Sequence, residues 1–419
     1  MNLNSNKTLD IFHPFILAIM VFLFVVIAIP MWYFSNRLPA PKMSLYLYIG
    51  LGILFFAFGI FLSNFIVNRK LNPKPNNGSS LNSFKENKNS SNTHEGTINS
   101  SNNLKDNENL LNSFKDKIKL NSEIPEKLNL FGSYSRNELT LMGFVLLGIL
   151  FQVVNISLLG GIPLFDANLK ARAATKLWLL SYIIFLPSIN ILLARFNRDS
   201  HYLLVFLGLL LFALTGYRTT PITILLSIFI TLFYTRNIKL RHQIFLALAI
   251  IAILIGVGFI AVKAISWQNW SLNPLELLSY RAAFTLNVLQ RAVEHQFVTG
   301  GTLFYSTLTG FFTHIDPRNL VGIALLGRNH SITSTIFGPA LMDFGIVGMS
   351  VQMLLIGFIL KTLHSIAKYK RELYAGIYGI LLAQSIIWIE TGPTDVVVWI
   401  FYIIAILLIV FSFYNGFEN

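Results

Sequence analysis

Ten stretches of this chain are too apolar and too long for the surface of a soluble protein. A transmembrane helix needs about 20 mostly apolar residues. Runs near 11–34, 43–67, 139–160, 177–196, 200–216, 220–235, 243–264, 340–361, 373–390 and 394–416 approach or meet that length. Lipid offers no partner for backbone N–H and C=O groups, so runs of this length must be helical. The expectation is an all-α polytopic integral membrane protein with about ten transmembrane helices. The pair 200–216 and 220–235 is short, with only Tyr217–Thr219 between, and reads as two spans in a tight hairpin, with a re-entrant pair as the alternative. Charge agrees: 12% of the 419 residues are charged, against about 25% in soluble domains. The chain has no Cys, which excludes disulfides, thiolate metal sites and cysteine nucleophiles. The first run is too long for a signal-peptide core and reads as a retained span.

The net charge is +13, and in a membrane protein such an excess marks cytoplasmic loops or anion sites. The basic residues are scattered over short loops, which argues against nucleic-acid binding. Lys361, Lys368, Lys370 and Arg371 mark the 361–372 connection as cytoplasmic, as Arg236, Lys239 and Arg241 do for 236–241, with Arg195 and Arg198 a third anchor. Alternation from these anchors places both termini in the cytoplasm. It puts 35–42, 161–176, 217–219, 391–393 and a long loop, 265–339, on the outer face of the cell membrane. The chain thus divides into residues 1–67 (two spans), 68–135, 136–264 (spans three to seven), 265–339 and 340–419 (three spans). Segment 68–135 is rich in Asn, Ser and Lys and repeats LNSFK at Leu81–Lys85 and Leu111–Lys115. It has too little apolar surface to offset chain entropy and is expected to be a disordered cytoplasmic insert.

The outer connections collect arginines. Gly160-Gly161-Ile162-Pro163-Leu164 leads to Arg172, and Gly216-Tyr217-Arg218 forms a turn between two spans. In the long loop, Asn273-Pro274-Leu275-Glu276 is a helix start, with a cap, a proline at the first position and a capping-box acid. A helix over Pro274–Gln296 puts Arg281, Arg291 and His295 within about 80° of one another on one face. Gly327-Arg328-Asn329-His330-Ser331 is a second polar turn. Asp343-Phe344-Gly345-Ile346-Val347-Gly348 then breaks the start of a span. An arginine at a membrane boundary often only snorkels to headgroup phosphate. Several on the side where the charge bias disfavours them suggest an anionic ligand such as a lipid diphosphate, which guanidinium forks suit. His295, His314 and His330 are candidates for proton transfer near neutral pH. Metal binding is less expected, because the outer side lacks close His pairs and the first outer connection lacks acids.

The order of these motifs resembles the oligosaccharide repeat unit polymerases, the Wzy-type polysaccharide or O-antigen polymerases. Gly160–Leu164, Gly216–Arg218, Arg281 with Arg291, and Asp343–Gly348 carry the likeness, which spans most of the chain outside 68–135. The resemblance implies a GT-C-like membrane fold and a glycosyltransferase that needs no cofactor or metal. Such an enzyme moves a growing glycan from polyprenyl diphosphate to the next lipid-linked repeat unit at the outer face. Its implied partners are polyprenyl-diphosphate-linked oligosaccharides and membrane lipids, with a flippase and a chain-length regulator. On that reading Arg172, Arg218, Arg281, Arg291 and Arg328 bind diphosphate, and His330, His295 and Asp316 are candidates for the proton acceptor. Alternatives are a related glycan ligase and, outside enzymes, a transporter of lipid-linked oligosaccharide. A transporter predicts charged spans and internal repeats, which are not evident.

Overall fold

The computed structural model describes residues 10–35, 37–71, 134–236, 274–313 and 315–414. The chain divides into two units, one formed by Met1–Leu71 and Arg136–Asn419 and the other by Asn72–Ser135. The Asn-rich insert beyond Leu71, the expected span 243–264, Asn273 and His314 lie outside the described residues. Within the described residues there is no strand. The helices are α1 (Ile16–Tyr33), α2 (Met43–Leu71), α3 (Arg136–Leu158), α4 (Ala167–Arg172), α5 (Lys176–Arg195), α6 (Asp199–Ala213), α7 (Thr219–Thr235), α8 (Pro274–Glu294), α9 (Thr302–Thr313), α10 (Pro317–Leu326), α11 (Gly338–Tyr369), α12 (Arg371–Thr391) and α13 (Val396–Tyr414).

Seven of these, α1, α2, α3, α5, α11, α12 and α13, are long and apolar enough to cross a membrane. Helices α6 and α7 are the expected short pair, at 15 and 17 residues. The protein is therefore an all-α polytopic membrane protein. Two boundaries differ from expectation. The connection expected at 361–372 is only Lys370, because α11, broken near its start by a kink at Gly345 (φ +62°, ψ −158°), runs on to Tyr369 with no Gly or Pro to stop it after Gly357. Among its described residues the long loop carries three helices rather than one. Helix α10 is announced by signals that are plain in hindsight: Asp316 caps it, Pro317 opens it and Gly327 ends it with φ +62°, the preferred residue at each place.

Tight packing comes from small residues, as lipid supplies no hydrophobic drive between helices. Helices α2 and α11 press backbone to backbone. A Cβ on Gly59 would lie 2.1 Å from the Leu354 carbonyl oxygen, and one on Gly357 would lie 2.2 Å from that of Phe56. One turn along, Ser63 Oγ and Thr362 Oγ1 share a hydrogen bond of 2.8 Å. Helix α8 joins this frame rather than floating above it. Ala282, Leu286, Leu289 and Val293 recur at helical spacing and are all buried, with α1, α2 and α11 as neighbours. The 35–42 connection clamps it from the side: Lys42 Nζ pairs with Glu294 at 2.7 Å, and Asn287 Nδ2 donates to the Pro39 carbonyl at 3.2 Å.

Among the described residues the ion pairs sort to two ends of the bundle. One end holds the connections expected to be outer. At the other, Asp10 accepts from Tyr234 at 2.6 Å and pairs with His364 at 2.9 Å and Lys368 at 2.6 Å. There also Glu138, fully buried, pairs with Arg198 at 3.0 Å and His201 at 3.1 Å.

Candidate functional site

The Gly160–Leu164 loop and the Gly216–Arg218 turn are docked on each other. Leu164 N donates to the Leu214 carbonyl at 2.9 Å, and Tyr217 Oη donates to the Lys170 carbonyl at 3.0 Å. Gly216 has φ +76°, and a Cβ there would meet Lys170 Cδ and the Pro163 oxygen at 3.3 and 3.4 Å. A side chain would be strained by the backbone and crowded by the neighbouring loop. Asp166 starts α4 by accepting from Asn168 N at 2.7 Å and Leu169 N at 3.3 Å. That short helix delivers Lys170 beside the turn.

Three cations meet here. Arg281 of α8 directs Nη2 and Nε to one oxygen of Glu390, near the end of α12, at 2.6 and 2.9 Å. Burial, then the charges of Arg218 and Arg281, push the Lys170 ammonium below its ordinary range. Arg218 is lowered by burial and by Arg281, with Glu390 opposing. Lys170 packs against the Gly216–Arg218 turn, and Glu390 is the carboxylate that Arg281 holds. The group carries net positive charge and suits a multiply charged anion.

Beside it opens a cleft between the ends of α5, α7, α12 and α13. Trp178, Tyr182, Thr223, Gln384, Trp388 and Asp395 line it, together with Thr219 and Thr391, the chain neighbours of Arg218 and Glu390. Arg318 of α10 braces one side, with Nη2 on both Asp395 oxygens at 2.8 and 2.7 Å and Nε on Thr394 Oγ1 at 3.3 Å.

Of the residues singled out in the sequence, the structure brings Arg218 and Arg281 together. Arg291 does not join them. It stands ten residues from Arg281 on α8, about 15 Å along the axis, and its Nη1 donates to the Leu325 carbonyl at 3.2 Å. His295 is exposed just past the same helix, further still from Arg281. Arg172 is exposed at the end of α4, and Arg328 and His330 are exposed in the turn after α10. Asp316 caps α10, its Oδ1 accepting from Arg318 N at 2.9 Å. Asp343, only 3% exposed, serves a similar purpose for α9. It accepts from Thr299 Oγ1 at 2.5 Å, from Gly301 N and Leu303 N at 3.0 and 3.1 Å, and from Phe304 N at 2.6 Å. Sequence reasoning missed Lys170, Glu390 and Asp395. Glu390 carried a usable signal, since an acid inside a membrane-spanning helix is costly and usually functional.

Fold and site together define a polytopic membrane protein that gathers fixed cations and a polar, aromatic cleft at one end of its helix bundle. Residues 10–402 match the family described as "Putative O-antigen polymerase", and the chain belongs to that family. Two similar proteins come from Methanocaldococcus jannaschii. The uncharacterized protein MJ0420 is 31% identical over 262 residues, covering 62% of this chain and 63% of the relative. The uncharacterized protein MJ0419 is 27% identical over 256 residues, covering 60% of this chain and 70% of the relative. The chain thus matches less than two thirds of the length of MJ0420. No solved structure matches it.

Proposed function

We propose that the chain polymerises lipid-linked oligosaccharide repeat units at the outer membrane face, transferring a growing glycan from polyprenyl diphosphate to the sugar of the next unit. The observation that carries this reading is that three separate connections bring a cation each to one place: Lys170 lies against the Gly216–Arg218 turn, and Arg281 holds Glu390, whose chain neighbour Thr391 shares a cleft with Thr219, the neighbour of Arg218. In the transfer, an acceptor hydroxyl oxygen forms a bond to the anomeric carbon of the donor sugar. The bond from that carbon to the diphosphate oxygen breaks, and the lipid diphosphate leaves with the electron pair. Fixed cations lower the barrier by stabilising charge that grows on the leaving oxygen. They supply the neutralisation a metal ion provides in other transferases, so the reading needs no metal or cofactor. The acceptor's proton goes to a carboxylate, and Glu390 is the one beside the cations. Arg281 pairs with it, and diphosphate competes for the same guanidinium, freeing Glu390 to take the proton.

Deletion of the gene followed by sizing of surface glycan tests the function. The expected result is single repeat units in place of polymer. Unchanged chain lengths would overturn the proposal, and full-length polymer retained on the lipid carrier would make the chain a ligase instead. Arg218→Ala and Arg281→Ala should each abolish polymer while leaving the protein in the membrane at normal amount. Normal polymer from both variants would remove the diphosphate role.

A further inference from the structure

We infer that the cleft beside the cation group is a binding site for an uncharged pyranose ring of the repeat unit, and that it sets which sugar the enzyme accepts. The inference rests on the polymerase reading but is carried by separate observations. Trp388 is 1% exposed, and its indole N–H has no hydrogen-bond partner. The same is true of the indole N–H of Trp178. Both residues line the cleft. A buried donor left unpaired is costly, and native proteins rarely tolerate one without a use. Two such donors belong to residues of one cleft, covered by their own packing, and a ligand that parts those rings meets them with acceptors, which sugar hydroxyls are.

The rest of the lining has the same character. Gln384 Nε2 donates to Tyr182 Oη at 2.8 Å, which leaves the amide oxygen to accept from a ligand hydroxyl. Thr223 adds a hydroxyl oxygen as acceptor, its own proton going to the Thr219 carbonyl at 2.8 Å, and Asp395 adds acceptor oxygens, with its charge balanced by Arg318. The aromatic planes are held rigid. Trp178 stacks on Tyr182 with centroids 5.6 Å apart at 8°, and Trp388 stacks on Tyr402 at 5.4 Å and 7°. Flat aromatic walls with donors and acceptors at their edges suit a ring that is apolar on its C–H faces and polar at its rim. Among the described residues the cation next to the cleft is Arg318, whose charge is taken up by Asp395, so an anionic sugar or free phosphate gains little there. The charged end of the substrate belongs next door, with Arg218 and Arg281.

Binding is read by tryptophan fluorescence of the purified full-length protein in detergent. The probes are glucose, galactose, mannose, N-acetylglucosamine, glucuronic acid, inorganic pyrophosphate and the repeat-unit glycan freed from the host's surface polymer by acid. Saturable quenching by the freed glycan or a neutral sugar is expected. Gln384→Ala and Trp388→Phe should weaken it about threefold to tenfold, the effect of one lost hydrogen bond. Arg218→Ala should leave it unchanged while abolishing any response to pyrophosphate. Thermal melting confirms that each variant is folded, and Thr223→Val is the milder substitute if Trp388→Phe is not. Absence of quenching by every sugar probe would overturn the inference, as would a response unaltered in folded Gln384→Ala and Thr223→Val. Sugar binding that persists when gene deletion leaves glycan length unchanged would overturn the polymerase reading and spare the cleft. Polymer formation without sugar binding would do the reverse.

Discussion

Arg281 and Glu390 show how much of the site depends on which groups touch. In sequence they are 109 residues apart, and only the folding of α8 against α12 makes them a pair. Because Arg281 forks onto one oxygen, a lysine in its place would keep the charge and lose the fork. Arg281→Lys should therefore leave polymerisation severely impaired, measured as glycan length, whereas a purely charge-based role predicts near-normal chains. Lys170 allows a test by pH. Its ammonium is held below the ordinary lysine range, so it loses its proton, and its grip on an anion, as pH rises through that lowered value. Polymerase activity in membranes should fall on the alkaline side earlier than a free lysine would dictate. Lys170→Arg should abolish that fall, since guanidinium stays charged. A wild-type alkaline limb retained in Lys170→Arg would remove Lys170 from the site. The sequence named Arg218 and Arg281 because an outer arginine is conspicuous. It hid Glu390, one acid at the edge of an apolar run read as a span, and Lys170, masked by the Arg172 two residues on.

Among elements, the Asp343–Gly348 motif is the instructive case. In sequence an acid among glycines at the mouth of a span looks like a binding site, and the structure makes Asp343 the N-terminal anchor of α9. Its carboxylate accepts from one side chain and three backbone N–H groups, some of them donors that a helix start otherwise leaves unsatisfied. Asp343→Ala should cost about 3–5 kcal/mol, because several buried donors lose a charged acceptor together. Thermal unfolding in detergent would check this, and a melting temperature within a degree of wild type would contradict it. The membrane-spanning helices were legible because composition alone demands them. Helix α8 starts where expected, at Pro274, and closes two residues early, at Glu294, as capping signals are strong at its start and weak at its close. Helices α9 and α10 were not read, since ten to twelve residues give too short a period to stand out in a polar loop.

Across the whole molecule, the two ends of the bundle answer differently to acid. At the end away from the cleft, burial would raise the Asp10 carboxyl, but hydrogen bonds from His364, Lys368 and Tyr234 outweigh it and hold the group well below the usual carboxylate range. Burial, followed by the Lys361 charge, pushes the His13 imidazole from 6.5 down to about 4. Both groups bind protons more readily when unfolded, so stability falls as pH falls. For His13 the loss runs from about 6.5 to about 4, and for Asp10 it continues lower. Wild-type protein should melt at lower temperature at pH 5 than at pH 7, and His13→Gln should flatten that dependence. Equal slopes in the two proteins would exclude His13 as the cause.

The ion pair of Arg281 with Glu390 has a consequence for selectivity. On the proposed reading the site carries its own internal counter-ion, tethered to α12 at high effective concentration. A dilute monovalent anion is a poor competitor for a carboxylate held in place. A diphosphate, with more charge and more oxygens, can displace it and gain Arg218 and Lys170 in the same step. The Glu390 carboxylate therefore acts as a threshold, which admits ligands by charge density and keeps the cations from being filled by the salt of the surroundings.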